Sequence, residues 1–303
     1  MNVQQLEYIV AVDTYRHFAM AAEHCHITQP TLSMMIQKLE AELGCKIFDR
    51  SKQPIVPTEI GQTLIAQARR VLQEVHRLYE ISHFNAAQLR GELHVGIIPT
   101  LAPFLIPLFL NSFLTQYPEI KLFIGEYTTE VLYQKLKNDQ IDVAILATPS
   151  EKKWLQEDYL FTEEFVLYAS TEEKNVLAKQ FVLAEDIDPT RLVLLEEGHC
   201  MRSQIEHFCK LHQSKRLGGR VAYEAGSVES LKRIVEHQYG MTILPKLATL
   251  NFTPEQMAMV RPFAEPLPVR HVNLVSERSM PKQRLLKYLK ESILANLPTK
   301  FNV

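Results

Sequence analysis

The 303-residue chain holds only four cysteines, too few for a disulfide scaffold to carry its fold. No stretch runs eighteen apolar residues without a charge, so nothing in it reads as a membrane-spanning helix. Charge of one sign is also missing: 33 Lys and Arg stand against 35 Asp and Glu, a formal net charge of -2. That excludes nucleic-acid binding by a global positive field, but a small DNA-reading module can sit inside a neutral chain. The opening MNVQQLEYIVAV has no basic leader and turns polar again at Asp13, so the expectation is a soluble cytoplasmic protein. The length suffices for two or three domains, each with its own core.

Residues 1 to 90 show helical periodicity and no period-two alternation. Leu6, Ile9 and Val10 line one apolar face of a first helix. A short Ala-rich helix follows at about Phe18 to His24, then the tight connection His26-Ile27-Thr28-Gln29. Thr28 can cap a new helix whose first turn holds Pro30, where a missing N–H costs nothing. Leu32, Ile36 and Leu39 then repeat at helical spacing, and two short helices joined by a brief turn suggest helix-turn-helix. The segment FDRSKQPIVP, Phe48 to Pro57, is short, basic and proline-punctuated, as a two-stranded wing would be. From Thr58 a long helical pattern repeats apolar residues at Ile60, Leu64, Ile65, Ala68, Val71, Leu72, Val75 and Leu78. A helix of that length suggests a linker or dimerisation element, the alternative being a helix packed only on its own domain.

At Gly91 the texture changes. GELHVGII, KLFIGEYT and IDVAILA read as strands separated by helices, the signature of a mostly parallel sheet covered on both faces. FVLYAS, RLVLLEE, GGRVAYEA, GMTILP and HVNLVSE continue as strands, with helices around Cys200, in SVESLKRIVEHQ and in the closing PKQRLLKYLKESILANL. Two α/β units with a crevice between them fit this order, and ligands of such sheets sit beyond the carboxyl ends of the strands. The expected division is therefore 1–57, 58–90 and 91–303, the last split into subdomain I (about 91–160 and 268–303) and subdomain II (161–267).

With LEYIVAVDTYRHFAMAAEHCHITQPTLSMMIQKLEAELGCKIFDR, PTEIGQTLIAQARRVL, PTLAP and DVAILA in view, the chain resembles the LysR-type transcriptional regulators over essentially its whole length. The resemblance implies an α/β protein with an all-α front. The parts are an N-terminal winged helix-turn-helix, a long linker helix that dimerises, and a periplasmic-binding-protein-like effector domain of two α/β subdomains. It also implies double-stranded DNA with a dyad-symmetric site as partner, a homodimer assembling to a homotetramer, RNA polymerase as a further partner, and no cofactor. Within that family GHCMRSQIEHFC is similar to the redox segment of OxyR-type peroxide sensors. On that pattern Cys200 is the peroxidatic residue, Cys209 the resolving one, and a cellular thiol reductant resets the pair. Thr100 in PTLAP, Thr129 in EYTTE, His199 and Arg270 in LPVRHV match the peroxide pocket. Two positions depart from the pattern: Ser203 stands where the motif has an acidic residue, and Glu130 where histidine is frequent.

A thiolate, not a thiol, attacks peroxide. Cys200 would begin a helix whose unpaired backbone N–H groups favour an anion, with Arg202 close in sequence. Thr100 and Thr129, if they converge, could donate hydrogen bonds to a peroxide oxygen. In one unbroken helix Cys200 and Cys209 would lie about 13 Å apart along the axis, whereas a disulfide needs Cα atoms within about 7 Å. Bond formation therefore requires unwinding, which makes the segment a two-state element. Cys25 and Cys45 read as structural, and a zinc site built from Cys200, His199, His207 and Cys209 matches no compact structural spacing.

The recognition helix is expected from Gln29 or Pro30 to Leu39. Gln29 and Thr31 are candidate base readers, and Ser33, Met34 and Gln37 face the groove or its walls. Lys38, Arg50 and Lys52 are expected on phosphates. Nine Lys or Arg face nine Asp or Glu in residues 1–90, so binding needs local placement and two-fold repetition. Two other functions remain open from the sequence: a LysR-type regulator answering a small carboxylate metabolite in the cleft, and a thiol peroxidase. The second leaves the helix-turn-helix unexplained.

Overall fold

The computed structural model describes residues 1–82, 90–150, 152–210, 224–278, 280 and 282–301. The chain divides into two compact units, Met1–Ala87 and Gln88–Val303.

In the first unit, α1 (Val3–Tyr15) starts with a capping box in which Asn2 accepts from the Gln5 N–H and the Gln5 side chain accepts from that of Asn2. Next comes α2 (Phe18–His24). The helix α3 (Gln29–Leu43) is capped by Thr28, whose Oγ1 accepts from the Thr31 N–H. It runs one turn past the expected end at Leu39, because Glu-Ala-Glu-Leu contains nothing that stops a helix. Gly44 stops it, with a φ of 69° that a side chain rarely tolerates. Strands β1 (Phe48–Asp49) and β2 (Val56–Pro57) pair antiparallel as the expected wing. Helix α4 (Glu59–Ser82) follows, and Thr58 Oγ1 accepts from the Gly61 N–H at 3.0 Å. The expected continuation of this helix through 83–89 lies outside the described residues. Leu6, Ile9, Val12, Leu32, Ile36, Leu39, Phe48 and Ile65 form the core. Ile60, Val71 and Leu78 on α4 stay exposed within this chain.

The second unit begins with β3 (Gly91–Ile97), α5 (Ala102–Gln116), β4 (Ile120–Glu126), α6 (Thr129–Lys137) and β5 (Val143–Leu146). These three strands are parallel with β3 in the middle, as their helical crossovers demand. Then come β6 (Leu155–Ala169), α7 (Lys174–Leu177), β7 (Leu194–Leu195), α8 (Cys200–Phe208), β8 (Glu224–Ala225) and α9 (Val228–Glu236). The chain closes with β9 (Met241–Pro245), α10 (Pro254–Ala258), β10 (Val260–Pro262), β11 (Val269–Glu277) and α11 (Gln283–Asn296). The expectation of a mostly parallel sheet fails in this half. The order is β10-β6-β11-β5-β3-β4 with β9 also on β6, and every pairing of β6 and β11 is antiparallel.

The cause is that β6 is a long strand shared by two cores, paired along more than half its length with β11, rather than a member of one crossover series. On β6, Phe161 belongs to the first core and Phe165 to the second. The strand expected at FVLYAS starts ten residues earlier, at Leu155, because its polar half LQEDYLFTEE is held by β11 along its length. RLVLLEE yields only the two-residue β7, parallel to β8. The expected strand GGRVAYEA lies mostly outside the described residues. No helix among the described residues is long and apolar enough to cross a membrane.

Candidate functional site

The carboxyl ends of β4, β3 and β5 form one edge, and the residues just beyond them are Thr128 and Thr129, Thr100, and Ala147. Helix α8 and the residues before it meet this edge at two points. Gly198, at φ 98°, brings the backbone against Thr128, where a Cβ would sit 4.0 Å from Thr128 Cγ2. One turn and a half further on, Gln204 Nε2 donates to the Ala147 carbonyl at 2.7 Å. The segment from Gly198 to Gln204 thus spans from the end of β4 to the end of β5, the two strands that flank β3. Cys200 lies between the two tethers, half-buried, and packs on the first core; Cys209 caps the other end of α8 and packs on the second. Cys200 and Cys209 are therefore at opposite ends of one continuous helix, and none of the four cysteines is in a disulfide.

Of the expected pocket residues, Thr100 and Arg270 are in direct contact. Arg270 Nη1 donates to Thr100 Oγ1 at 3.0 Å and Nη2 to the Thr100 carbonyl at 3.1 Å. Arg270 lies on β11 opposite Glu163 of β6, whose carboxylate takes Arg270 Nε at 2.8 Å and the Leu247 N–H at 2.7 Å. Both side chains of this ion pair are fully buried. Thr129 opens α6 with a buried Oγ1 that hydrogen-bonds to no described group. Tyr133, one turn along the same face, has its phenol pKa pushed up by burial, with Glu157, the Cys200 thiol and Glu130 adding to it and a Ser150 hydrogen bond opposing. His199 is the N-cap of α8 and is buried; burial lowers its pKa, against the Glu196 carboxylate 3.9 Å away.

Arg202 does not assist Cys200. Its Nη1 donates to the Leu195 carbonyl at 2.9 Å and to Glu224 at 2.5 Å, and its Nε to Glu206 at 3.0 Å, so it fastens α8 to β7 and β8. Ser203 faces solvent, and so does Glu130, which accepts from Gln134. Sequence reasoning missed Glu163 and Gln204. Glu163 sits in the acidic pair of TEEF, and its alternation with Phe161 and Phe165, both buried, was the signal that it rather than Glu164 points inward. Among the described residues no cluster of His, Cys, Asp and Glu could hold a metal.

On the first unit, Gln29, Pro30, Thr31, Met34, Gln37 and Lys38 of α3 are exposed, while Ser33 is half-buried. Arg50 Nη1 donates to Ser33 Oγ at 2.9 Å, Nη2 lies 3.6 Å from Glu40, and the guanidinium stacks over Phe18. Glu40 is buried and accepts from the Ile47 and Phe48 N–H groups, a role the sequence did not announce. Lys52 pairs with Asp49 at 3.8 Å on the wing. Cys25 ends α2, and burial first, then Glu7, raises its thiol pKa.

Two family models cover this arrangement. Residues 3–62 match the bacterial regulatory helix-turn-helix protein of the LysR family, and residues 86–298 match the LysR substrate binding domain. A hydrogen peroxide-inducible genes activator of Haemophilus influenzae is 34% identical over 282 residues, 93% of this chain and 92% of that one. A full-length OxyR cysteine-to-aspartate variant from Pseudomonas aeruginosa superposes with a TM-score of 0.82 at 32% identity, covering 98% and 99% of the two chains. A hydrogen peroxide-bound OxyR mutant from Corynebacterium glutamicum gives 0.63 at 25%, covering 97% and 92%. The chain belongs to the LysR family of DNA-binding transcriptional regulators, and within it to the OxyR-type group.

Proposed function

We propose that the protein is a peroxide-responsive transcriptional regulator in which Cys200 is oxidised and then joined to Cys209. The carrying observation is that α8 is held at the carboxyl end of the parallel strands, with Cys200 at its start on the first core and Cys209 at its finish on the second. The Cys200 thiolate attacks one peroxide oxygen, breaking the O–O bond and releasing hydroxide; Cys209 then displaces the second oxygen as water, leaving a disulfide. Two thiols are oxidised and one peroxide is reduced to two waters. Thr100, Thr129, His199 and Arg270 form the pocket in this reading. A disulfide cannot span a wound α8, so oxidation unwinds it, breaks the Gln204–Ala147 tether and repacks the cleft.

In this reading residues 1–57 read DNA, 58–90 dimerise, and 91–303 sense. Exposed Ile60, Val71 and Leu78 give α4 an apolar stripe for a second copy, and two dimers form the tetramer. Gln29 and Thr31 meet base edges across a dyad-symmetric site, Ser33, Met34 and Gln37 face the groove or its walls, Pro30 sits in the first turn of α3, and Lys38, Arg50 and Lys52 meet phosphates. The protein works in the cytoplasm with RNA polymerase and is reset by a cellular thiol reductant.

Mass spectrometry of alkylated peptides before and after one equivalent of hydrogen peroxide tests this. A rapid Cys200–Cys209 link with Cys25 and Cys45 still alkylatable is expected. Both thiols remaining alkylatable would sink the sensor assignment and turn attention to a small carboxylate in the cleft, while steady peroxide turnover with a thiol reductant would indicate a peroxidase.

A further inference from the structure

In the regulatory unit the peroxide chemistry leaves the fully buried Glu163 without a role. We propose that Glu163 is a positioning residue for the oxidation of Cys200, acting through Arg270 to fix the direction of the Thr100 hydroxyl proton. The inference rests on the peroxide reading of the cleft.

A guanidinium has only N–H donors, whereas a threonine hydroxyl has one proton and two lone pairs. Arg270 Nη1 donates to Thr100 Oγ1 and Nη2 to the Thr100 carbonyl, so this residue is gripped at both oxygens. One lone pair of Oγ1 is then occupied from the Arg270 side, and the hydroxyl proton cannot point back at a group that only donates. It is directed away from Arg270. Thr100 follows the end of β3, and Cys200 packs on the core that holds Ile97, Ile98 and Leu101 on either side of it. The proton is thereby available where charge develops on the leaving peroxide oxygen.

Arg270 can do this only if its own plane is fixed. Glu163 holds Nε at 2.8 Å and Nη2 at 2.7 Å through one oxygen. Its other oxygen accepts the Leu247 N–H, so the carboxylate cannot rotate. β6 and β11 place the two residues directly opposite one another in the sheet, which fixes the pair from the backbone outward. The relay runs from the Leu247 backbone through Glu163 and Arg270 to Thr100. It also neutralises the guanidinium inside the fold, so that Thr100 receives orientation and polarisation without an exposed cation in the cleft.

The test compares two reagents on the reduced full-length protein. Hydrogen peroxide needs an oriented proton donor for its leaving oxygen, while iodoacetamide needs only an accessible thiolate. Glu163→Gln keeps the shape and removes the charge. It should slow oxidation of Cys200 by peroxide about tenfold or more, with alkylation of Cys200 by iodoacetamide within about twofold of the parent. In a Thr100→Val background the same substitution should add less than about twofold, since the step it acts through is already gone. Equal slowing with both reagents, or full additivity with Thr100→Val, would overturn the proposal in favour of a general loosening of the cleft. Should Glu163→Gln not fold, Glu163→Asp, which keeps the charge and draws it back by one methylene, carries the same comparison, with the same result expected and the same result overturning it. If Cys200 of the parent protein reacts with peroxide no faster than Cys25, the peroxide reading itself fails and takes this inference with it. A parent that reacts fast beside a Glu163 variant that is unaffected fails the inference alone.

Discussion

The two units contain the same relay in different surroundings. In the regulatory unit Glu163 holds Arg270, and Arg270 donates to Thr100; in the DNA-reading unit Glu40 holds Arg50, and Arg50 donates to Ser33. Both glutamates also accept backbone N–H groups, from Leu247 in one case and from Ile47 and Phe48 in the other. The difference lies in water. Arg270 and Glu163 have no exposed side-chain surface and approach to 2.7 Å, whereas Arg50 is 31% exposed and stands 3.6 Å from Glu40. A sealed relay can only orient what it touches. An open one can let its arginine go, which suits a residue expected on a phosphate.

The largest effect should come from the sealed relay. Arg270→Met leaves Glu163 as a buried carboxylate with one N–H for company, and should destabilise the regulatory unit by about 3–5 kcal/mol in urea unfolding. A loss under about 1 kcal/mol would mean that the pair is not sealed in solution.

Next in size is the open relay's anchor. Glu40→Ala leaves the Ile47 and Phe48 N–H groups buried without their acceptor, and should cost about 1–3 kcal/mol. Operator affinity should fall with it, because the same carboxylate joins α3 to the strand that begins the wing. Unfolding followed by circular dichroism, alongside a binding titration, separates stability from DNA contact.

How far these relays could be read from the sequence differs between them and from the fold around them. Helix caps and breaks were legible: Thr28 before Pro30 announced α3, and the Pro-rich FDRSKQPIVP announced the wing, because these residues act on their own neighbours. The strand order of the regulatory unit was half legible. Helical crossovers forced β3, β4 and β5 to be parallel, but the antiparallel run of β6 with β11 pairs residues more than a hundred positions apart. Family resemblance singled out Thr100 and Arg270, and the fold brings them together; alternation with Phe161 and Phe165 could turn Glu163 inward, but its partner across the sheet is not local. Arg202 misled for the opposite reason: nearness to Cys200 in sequence suggested help, but the turn of α8 points it at Glu224 instead.

Acid should reach the regulatory unit before the wing. Burial holds the folded His199 below its ordinary 6.5, so the unfolded chain takes up a proton that the folded chain does not. Stability of the regulatory unit should therefore decline as pH falls through 6.5 toward the lower folded value, and His199→Gln should flatten that slope. On the wing, Asp49 is held below its ordinary 3.8 by its Ser51 hydrogen bonds, so its contribution is lost only under far more acidic conditions. Thermal melts in steps downward from neutral pH check the first; a slope unchanged by His199→Gln would mean that another group takes up the proton.

The smallest effect should be the most informative about the open relay. Ser33→Ala removes the acceptor for Arg50 Nη1 on a half-buried surface, and should cost less than about 1 kcal/mol. What changes is where Arg50 can go. If Ser33 serves to park Arg50 in the absence of DNA, the variant binds its operator at least as well as the parent. Its binding should also fall more steeply with salt, by up to about one unit in the slope of log K against log salt, as one more phosphate contact is made. If Ser33 instead presents its hydroxyl to a base, affinity falls for the operator and hardly at all for unrelated DNA, and the salt slope stays where it was. The two outcomes move opposite quantities, so one salt titration on two DNA sequences decides whether the open relay is a release device or a scaffold like its buried counterpart.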